Sequence, residues 1–303
     1  LSHPVTEPKN KRVRDRLNDL VRGGLHRTAS TNIIFVCGGD EEIHLRPKFI
    51  EYMQAEMPGY RPFRPEAAQK DYFEQDHEDT LNLSHFEELV SDLSLGIVLF
   101  AESPGSYAET GLFSALENAR KKTLVILDAE RQGKGSFLTF GPVAVIASKS
   151  RLGAAIQLDY ENPKFSQIKD RIEDRIPLPS SYRSIGSKEF SDLEPQELLS
   201  FVWFYIDIMK ACSFDDLVYC FDSAFSARSS KRKIREILSV LVGVGLVVRD
   251  GPLGLVRISD RSIELAEPSK AYQSRLTELV LEITNLLEEC ANVNYIEAAA
   301  RAD

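Results

Sequence analysis

Three short apolar runs constrain this chain more than any other feature. They are Ile33-Ile34-Phe35-Val36-Cys37, Leu95-Gly96-Ile97-Val98-Leu99-Phe100 and Thr123-Leu124-Val125-Ile126-Leu127. Each is too short for a membrane span, and none alternates polar with apolar. A continuous β-branched run of this length predicts a strand buried on both faces, as in a parallel sheet. Helical spacing separates them, over Leu45–Met57, Phe86–Leu93 and Ser106 to about Lys121. Tyr60–Phe63 and Val143–Ala147 are expected to add further strands. Strands that alternate with helices predict a doubly wound α/β fold over residues 30–160. Ligands of such sheets bind at the carboxyl ends of the strands. Gly38-Gly39-Asp40 and the loop from Glu102 to Glu109 both lie there.

The rest of the 303 residues is organised differently. Residues 1–29 are polar and basic, and Val13, Leu17, Leu20 and Val21 predict an amphipathic helix. It either packs on the main domain or presents its charge to a partner. Pro163, Pro177, Pro179 and a serine-rich stretch mark residues 161–195 as a linker with one helix near Gln167–Arg175. Residues 196–262 read as three helices followed by a hairpin through Asp250-Gly251-Pro252-Leu253, the pattern of a winged helix. Over 263–303 an apolar stripe, Leu276, Leu279, Val280, Ile283, Leu286 and Leu287, predicts a C-terminal helix that closes the core or drives self-assembly.

A net charge of −9 excludes coating of nucleic acid by bulk charge, so such contact needs a local basic patch. Arg228, Lys231, Arg232, Lys233 and Arg235 form one at the start of the expected recognition helix, the end that a helix-turn-helix presents to nucleic acid. The alternative is a solvated face. Four scattered cysteines without a CxxC pair predict reduced thiols in a cytoplasmic protein, not a disulfide frame or zinc site. No metal, no cofactor and no membrane segment are expected. The opening residues lack the pattern of a secretory signal, and since Leu1 is not methionine the natural start is expected upstream.

The motif that carries chemistry is Glu102-Ser103-Pro104-Gly105-Ser106-Tyr107-Ala108-Glu109-Thr110-Gly111. Ser106 and Glu109 alone have the spacing of a capping box, which would give both a structural role. Chemistry is favoured by the position: a helix start after a buried strand opens on the ligand crevice, and its free N–H groups favour anions. Pro104-Gly105 leaves room for a ligand to approach the backbone. Gly38, Gly39 and Asp40 suit phosphate or ribose contact, although two glycines also simply turn a strand. Gly133-Lys134-Gly135-Ser136 lacks the spacing of a phosphate loop.

These residues, together with Lys122-Thr123-Leu124-Val125-Ile126, resemble the nucleoside 2-deoxyribosyltransferase superfamily. There a strand-loop-helix of the form G-[ST]-x-x-E-x-G carries the catalytic glutamate, which corresponds to Glu109. With Ser136-Phe137-x-x-Phe140-Gly141-Pro142-Val143 and the winged helix, the longer pattern resembles the toxic effectors of bacterial retron anti-phage systems. The resemblance implies Glu109 as catalytic carboxylate, with Gly38, Gly39, Asp40, Glu102, Ser103, Gly105 and Ser106 around the substrate. Deoxyribosyltransferases place an aspartate six positions before the glutamate. Here that position is Ser103, so hydrolysis is expected in place of deoxyribosyl transfer.

Nicotinamide in NAD is already cationic and leaves as a neutral base, so one carboxylate suffices. Other bases need an acid, for which only Glu102 and Asp40 stand near. NAD is therefore the first expected substrate, with a nucleoside or deoxynucleotide second. The retron resemblance implies the reverse transcriptase with its RNA–DNA product as partner, holding the effector in an assembly. The competing reading is a nucleotide-sensing, DNA-binding regulator without catalysis.

Overall fold

The computed structural model describes residues 2–28, 31–64, 66, 68, 83–132, 135–176, 178, 183–184, 188–225, 231–250, 254–259, 261, 263–290 and 292–301. The chain forms two compact units: Leu1–Ser30 with Ala67–Asp76 and Ser180–Asp303, and Thr31–Glu66 with His77–Pro179. It opens in the first unit with helix Lys11–Gly24 and strand β1 (Leu25–Arg27). It then builds the second around strands β2 (Ile33–Cys37), β3 (Arg61–Phe63), β4 (Gly96–Phe100), β5 (Thr123–Asp128) and β6 (Ile156–Leu158).

These five strands make one parallel sheet in the order β3-β2-β4-β5-β6. Every residue of β2, β4 and β5 is buried, as their unbroken apolar sequence requires. Alternate residues serve opposite faces. Ile34, Val36, Val98 and Phe100 join Phe49, Met53, Ile168 and Ile172 from helices Leu45–Glu56 and Ser166–Arg175. Phe35, on the other face, meets the Phe113 ring at 5.9 Å, and helices Leu83–Leu93 and Pro104–Ala115 cover this side. Each fully buried phenylalanine contributes roughly 1.5–3 kcal/mol to holding these layers together. Cys37 has the parity of Phe35, so the end of β2 faces the helices that carry Glu87 and Glu109.

Several expectations are corrected here. Val143–Ala147 is not a strand: a helical stretch Thr139–Val143, kinked at Gly141, runs into helix Ala144–Lys149. Only Val143 and Ile146 are buried there, a spacing of three that suits a helix. The strand on that side is β6. The helix expected from Ser106 begins at Pro104, where a fixed φ and a missing N–H cost nothing, and it breaks at Leu116 before a short turn of helix, Glu117–Arg120. Helix Ser166–Arg175 packs within the α/β unit and is not part of a linker.

In the other unit, β1 pairs antiparallel with both β7 (Arg183–Ser184) and β10 (Ala266–Pro268). Helices Pro195–Met209, Phe214–Phe225 and Lys231–Gly243 are followed by a hairpin of β8 (Val247–Asp250) and β9 (Leu255–Ile258). Cys212 bridges to Val256 and fastens the hairpin to the helices. The amphipathic helix Lys11–Gly24 buries Leu17, Leu20 and Val21 against helices Phe214–Phe225 and Gln273–Glu288. Its charges are largely engaged: Arg14 donates to the Val5 carbonyl at 3.1 Å, and Arg16 pairs with Glu278 and Glu282. Leu279, Ile283 and Leu287 of the C-terminal stripe are buried within this unit. All four cysteines are free thiols.

One buried carboxylate ties both ends of this unit together. Asp216 accepts from the His3 backbone N–H (2.9 Å), the Ser213 N–H (2.9 Å) and hydroxyl (2.7 Å), and the Tyr295 hydroxyl (2.6 Å). Burial pushes the His3 imidazole down to about 4, so it is neutral, with Nδ1 accepting from the Val5 N–H. Trp203, the single tryptophan, is buried in the same unit and reports on it. Asp216→Ala strands these four donors, and urea titration followed by Trp203 fluorescence is expected to show a loss of roughly 3 kcal/mol or more. Tyr295→Phe is expected to cost less than half as much.

Candidate active site

At the carboxyl edge of the sheet, Glu102 follows β4 and turns toward β2. Its carboxylate accepts from the backbone N–H groups of Leu45 (2.8 Å), Arg46 (3.2 Å) and Gly39 (3.2 Å). It therefore caps helix Leu45–Glu56 across the sheet, the favourable place for a negative charge. Burial raises its pKa, and the three N–H bonds partly oppose the rise. A Cβ on Gly38, whose φ is 153°, would fall 2.8 Å from Glu102 Oε1 and 3.0 Å from Arg46 Cβ. One on Gly39 would fall 2.3 Å from His44 Nδ1. The two glycines and Glu102 thus have structural employment: they let the first loop close onto the capping carboxylate.

That closure buries Arg46, whose side chain is only 1% exposed. Its guanidinium donates to Asp40 and to Glu66, each at 2.7 Å. Asp40 is more than half exposed and also lies 3.8 Å from Arg64, at the end of β3. Asp40 is consequently held by cations at the rim, where it does not act as a free turn residue.

Glu109 stands in the second turn of helix Pro104–Ala115. The capping box at this helix is made by Ser103 and Ser106, not by Ser106 and Glu109. Ser103 Oγ accepts from the Ser106 N–H at 3.2 Å, and Ser106 Oγ accepts from the Ser103 N–H at 2.9 Å. Pro104 at the first helical position makes the earlier box the better one. Glu109 is left without a capping role, and its Oε2 is buried with no hydrogen-bond partner among the described residues. Burial and the nearby charge of Glu87 push its carboxyl up to about 7, against a smaller opposing pull from Arg46. Gly105, exposed in the first turn, has room for a side chain: a Cβ would meet only Ser103 Oγ, at 3.9 Å. Packing within the chain does not explain why it is glycine.

Glu87, on helix Leu83–Leu93, escaped the sequence reading. It is 6% exposed, and burial with the charge of Glu66 pushes it up to about 7 as well. The Cys37 thiol, raised by burial, lies within electrostatic reach of Glu109, Glu87, Arg46 and Glu66. The end of β2 is thus the point on which these groups converge. Beside them, Gln132 ties the loop after β5 to the site. Its side-chain N–H groups donate to the Ala101 carbonyl and to Tyr107 Oη, and its Oε1 accepts from the Asp128 N–H at 2.9 Å.

The basic cluster lies in the other unit. Arg228 falls outside the described residues. Lys231, Arg232 and Lys233 are exposed at the start of helix Lys231–Gly243. Arg232 donates to the buried Glu236 at 2.9 Å, and the Arg235 guanidinium sits 4.7 Å over the Phe214 ring. Arg232 and Arg235 are therefore partly committed inside the unit.

Fold and site together define a mixed α/β protein whose parallel sheet carries a cluster of carboxylates at the carboxyl ends of its strands. The chain belongs to the retron effector family described as STM3845 retron effector protein, which matches residues 42–249. It is also 35% identical over 134 residues to an Escherichia coli protein described as "Retron Ec86 putative ribosyltransferase/DNA-binding protein", covering 43% of this chain and 42% of that one. The match thus spans less than half the relative's length. No helix among the described residues is long and apolar enough to cross a membrane.

The carboxylate pair leaves a signature in stability. Both groups titrate near 7 in the folded protein against 4.5 ordinarily. The folded state therefore binds their protons more tightly than the unfolded chain. Their contribution is fully present below pH 4.5 and is lost as pH rises through about 7. Glu109→Gln and Glu87→Gln are expected to raise Tm at pH 8 and to leave it nearly unchanged at pH 4.5. Differential scanning calorimetry would read about 2–4 °C for each kcal/mol released.

Proposed function

We propose that the chain is an N-glycosidase that hydrolyses the nicotinamide–ribose bond of NAD. The observation that carries this reading is the Glu109 carboxylate: it is mounted on helix Pro104–Ala115 at the carboxyl edge of the sheet, with Oε2 buried and without a hydrogen-bond partner among the described residues. A carboxylate so placed can attack or stabilise the anomeric carbon as positive charge develops, and water then completes hydrolysis. NAD is favoured by charge. Asp40, Glu66, Glu87 and Glu109 outnumber Arg46 and Arg64 around the site. An acidic surrounding attracts the cationic nicotinamide ring, and the ring's charge in turn favours ionised Glu109.

Glu87 supports a second reading. Protonated near neutrality, it can supply the proton that a departing purine or pyrimidine needs, so a nucleoside or deoxynucleotide would also be cleavable. The two substrate classes separate by mutation. Nicotinamide release from NAD should fall at least about 100-fold in Glu109→Gln and persist in Glu87→Gln. Release of a neutral base should need both. For NAD, kcat/KM should rise with pH through about 7 as Glu109 ionises. Undiminished nicotinamide release by Glu109→Gln rejects the assignment.

The three helices and hairpin of the other unit are read as a winged helix that tethers the enzyme to its retron reverse transcriptase and the RNA–DNA product. Lys231, Arg232 and Lys233 lie where such a fold meets a phosphate backbone. The DNA-binding part of the relative's description supports this. Lys231→Ala with Lys233→Ala is expected to weaken binding to an RNA–DNA hybrid about tenfold or more and to flatten its salt dependence. Equal affinity in filter binding at two salt concentrations removes the claim.

A further inference from the structure

Resting on the NAD reading, a second subsite can be assigned on the β5 side of Glu109. Phe137 and Phe140 are 88% and 73% exposed, among the most solvent-accessible large apolar side chains described. Single exposed apolar residues are ordinary on a protein surface, but two neighbouring exposed aromatics one helical turn apart are less so. Their backbone is well fixed. Ser136 Oγ accepts from the Thr139 N–H and Thr139 Oγ1 accepts from the Ser136 N–H, each at 3.2 Å. Three residues apart in a helical stretch, the two rings share one side. The Phe137 ring lies over Gly141, where an added Cβ would sit 3.5 Å away, at ordinary contact distance.

The position of this pair is set by the same elements that set Glu109. Thr139–Val143 packs against helix Pro104–Ala115. The root of the loop is locked by Gln132 to Ala101, at the end of β4, and to Tyr107, on the Glu109 helix itself. Tyr107 is also substantially exposed and adds a third ring on that side. In the strand order β3-β2-β4-β5-β6, the acidic cluster lies toward β2 and β3, and the aromatic segment follows β5. The carboxyl edge of the sheet therefore carries acidic residues on the β2–β3 side of the Glu109 helix and aromatic residues on its β5 side.

We propose that Phe137 and Phe140 are the stacking platform for the adenine of a dinucleotide substrate, whose nicotinamide occupies the acidic half. An uncharged aromatic surface suits a neutral base with an open π-face. Stacking of a base on an aromatic side chain is worth about 1–3 kcal/mol. These residues select the substrate and take no part in bond cleavage.

The test compares NAD with nicotinamide mononucleotide, which lacks the adenosine half, using the full chain and the Phe137→Ala/Phe140→Ala variant. Both side chains are exposed, so an unchanged Tm is expected to show that the fold is intact. KM for NAD should rise about tenfold with kcat unchanged, while both constants for nicotinamide mononucleotide stay put. The Phe137→Tyr/Phe140→Tyr variant should restore the NAD value. Unchanged NAD kinetics, or a shift that affects both substrates equally, overturns the proposal and leaves the pair as a contact for a second copy or another protein. If the wild type releases nicotinamide from neither, the glycosidase reading fails separately. Calorimetric binding of ADP-ribose then decides the subsite alone: weaker binding by the alanine variant supports it, and equal affinity overturns it.

Discussion

The Glu102 carboxylate, receiving three backbone N–H groups from the start of helix Leu45–Glu56 and the loop before it, is the contact on which the site depends. It joins the end of β4 to the end of β2 by charge-assisted hydrogen bonds, which are roughly twice as strong as neutral ones. Because that loop is closed, Arg46 is pulled below the surface, where a guanidinium needs carboxylate partners. Asp40 and Glu66 provide them. The positive charge so anchored is the chief influence that lowers the Glu109 carboxyl against burial and its acidic neighbours. Glu102, which makes no contact with Glu109 among the described residues, thereby shapes the electrostatics around it.

Two carboxyls poised near neutral pH are costly to a fold, since burial without full pairing works against their ionised forms. Such groups concentrate where chemistry needs them. The alternative, a structural ion-pair network, describes Arg46 with Asp40 and Glu66 well. It does not describe Glu109, whose buried oxygen has no partner among the described residues. Glu102 and Glu109, seven residues apart, thus differ in kind: the first is satisfied by three backbone N–H groups, and the second keeps a buried oxygen without a partner among the described residues.

The second unit shows how a basic sequence can be spent on its own fold. Arg14 and Arg16 on the first helix, and Arg232 and Arg235 on the third of the later bundle, all have partners within the unit. Counting charges along the chain therefore overstates the surface available to a polyanion. Among the described residues, the exposed cations at the start of helix Lys231–Gly243 are Lys231, Arg232 and Lys233, while Arg235 is half-buried. The ends of the unit, His3 and Tyr295, are joined through Asp216, a connection over nearly the whole chain length that no local pattern could announce.

What the sequence determined by itself is the sheet and the position of its carboxyl edge. β2, β4 and β5 were legible because a strand buried on both faces must be apolar throughout, and that demand is written in consecutive residues. Glu109 was legible as a residue after such a strand, within a motif. Its freedom was not, because Ser103-Pro104 and Ser106-x-x-Glu109 offer two capping registers and only the folded helix chooses between them. Glu87, Glu66 and Arg46 were invisible, since they come from three separate segments and share no spacing. Val143–Ala147 was misread because a short apolar run fits either period until its neighbours decide which residues are covered. The sequence specifies what must be buried along each segment. Which charges meet across the sheet, and so which carboxylate is left unpaired, is decided only when distant segments pack together.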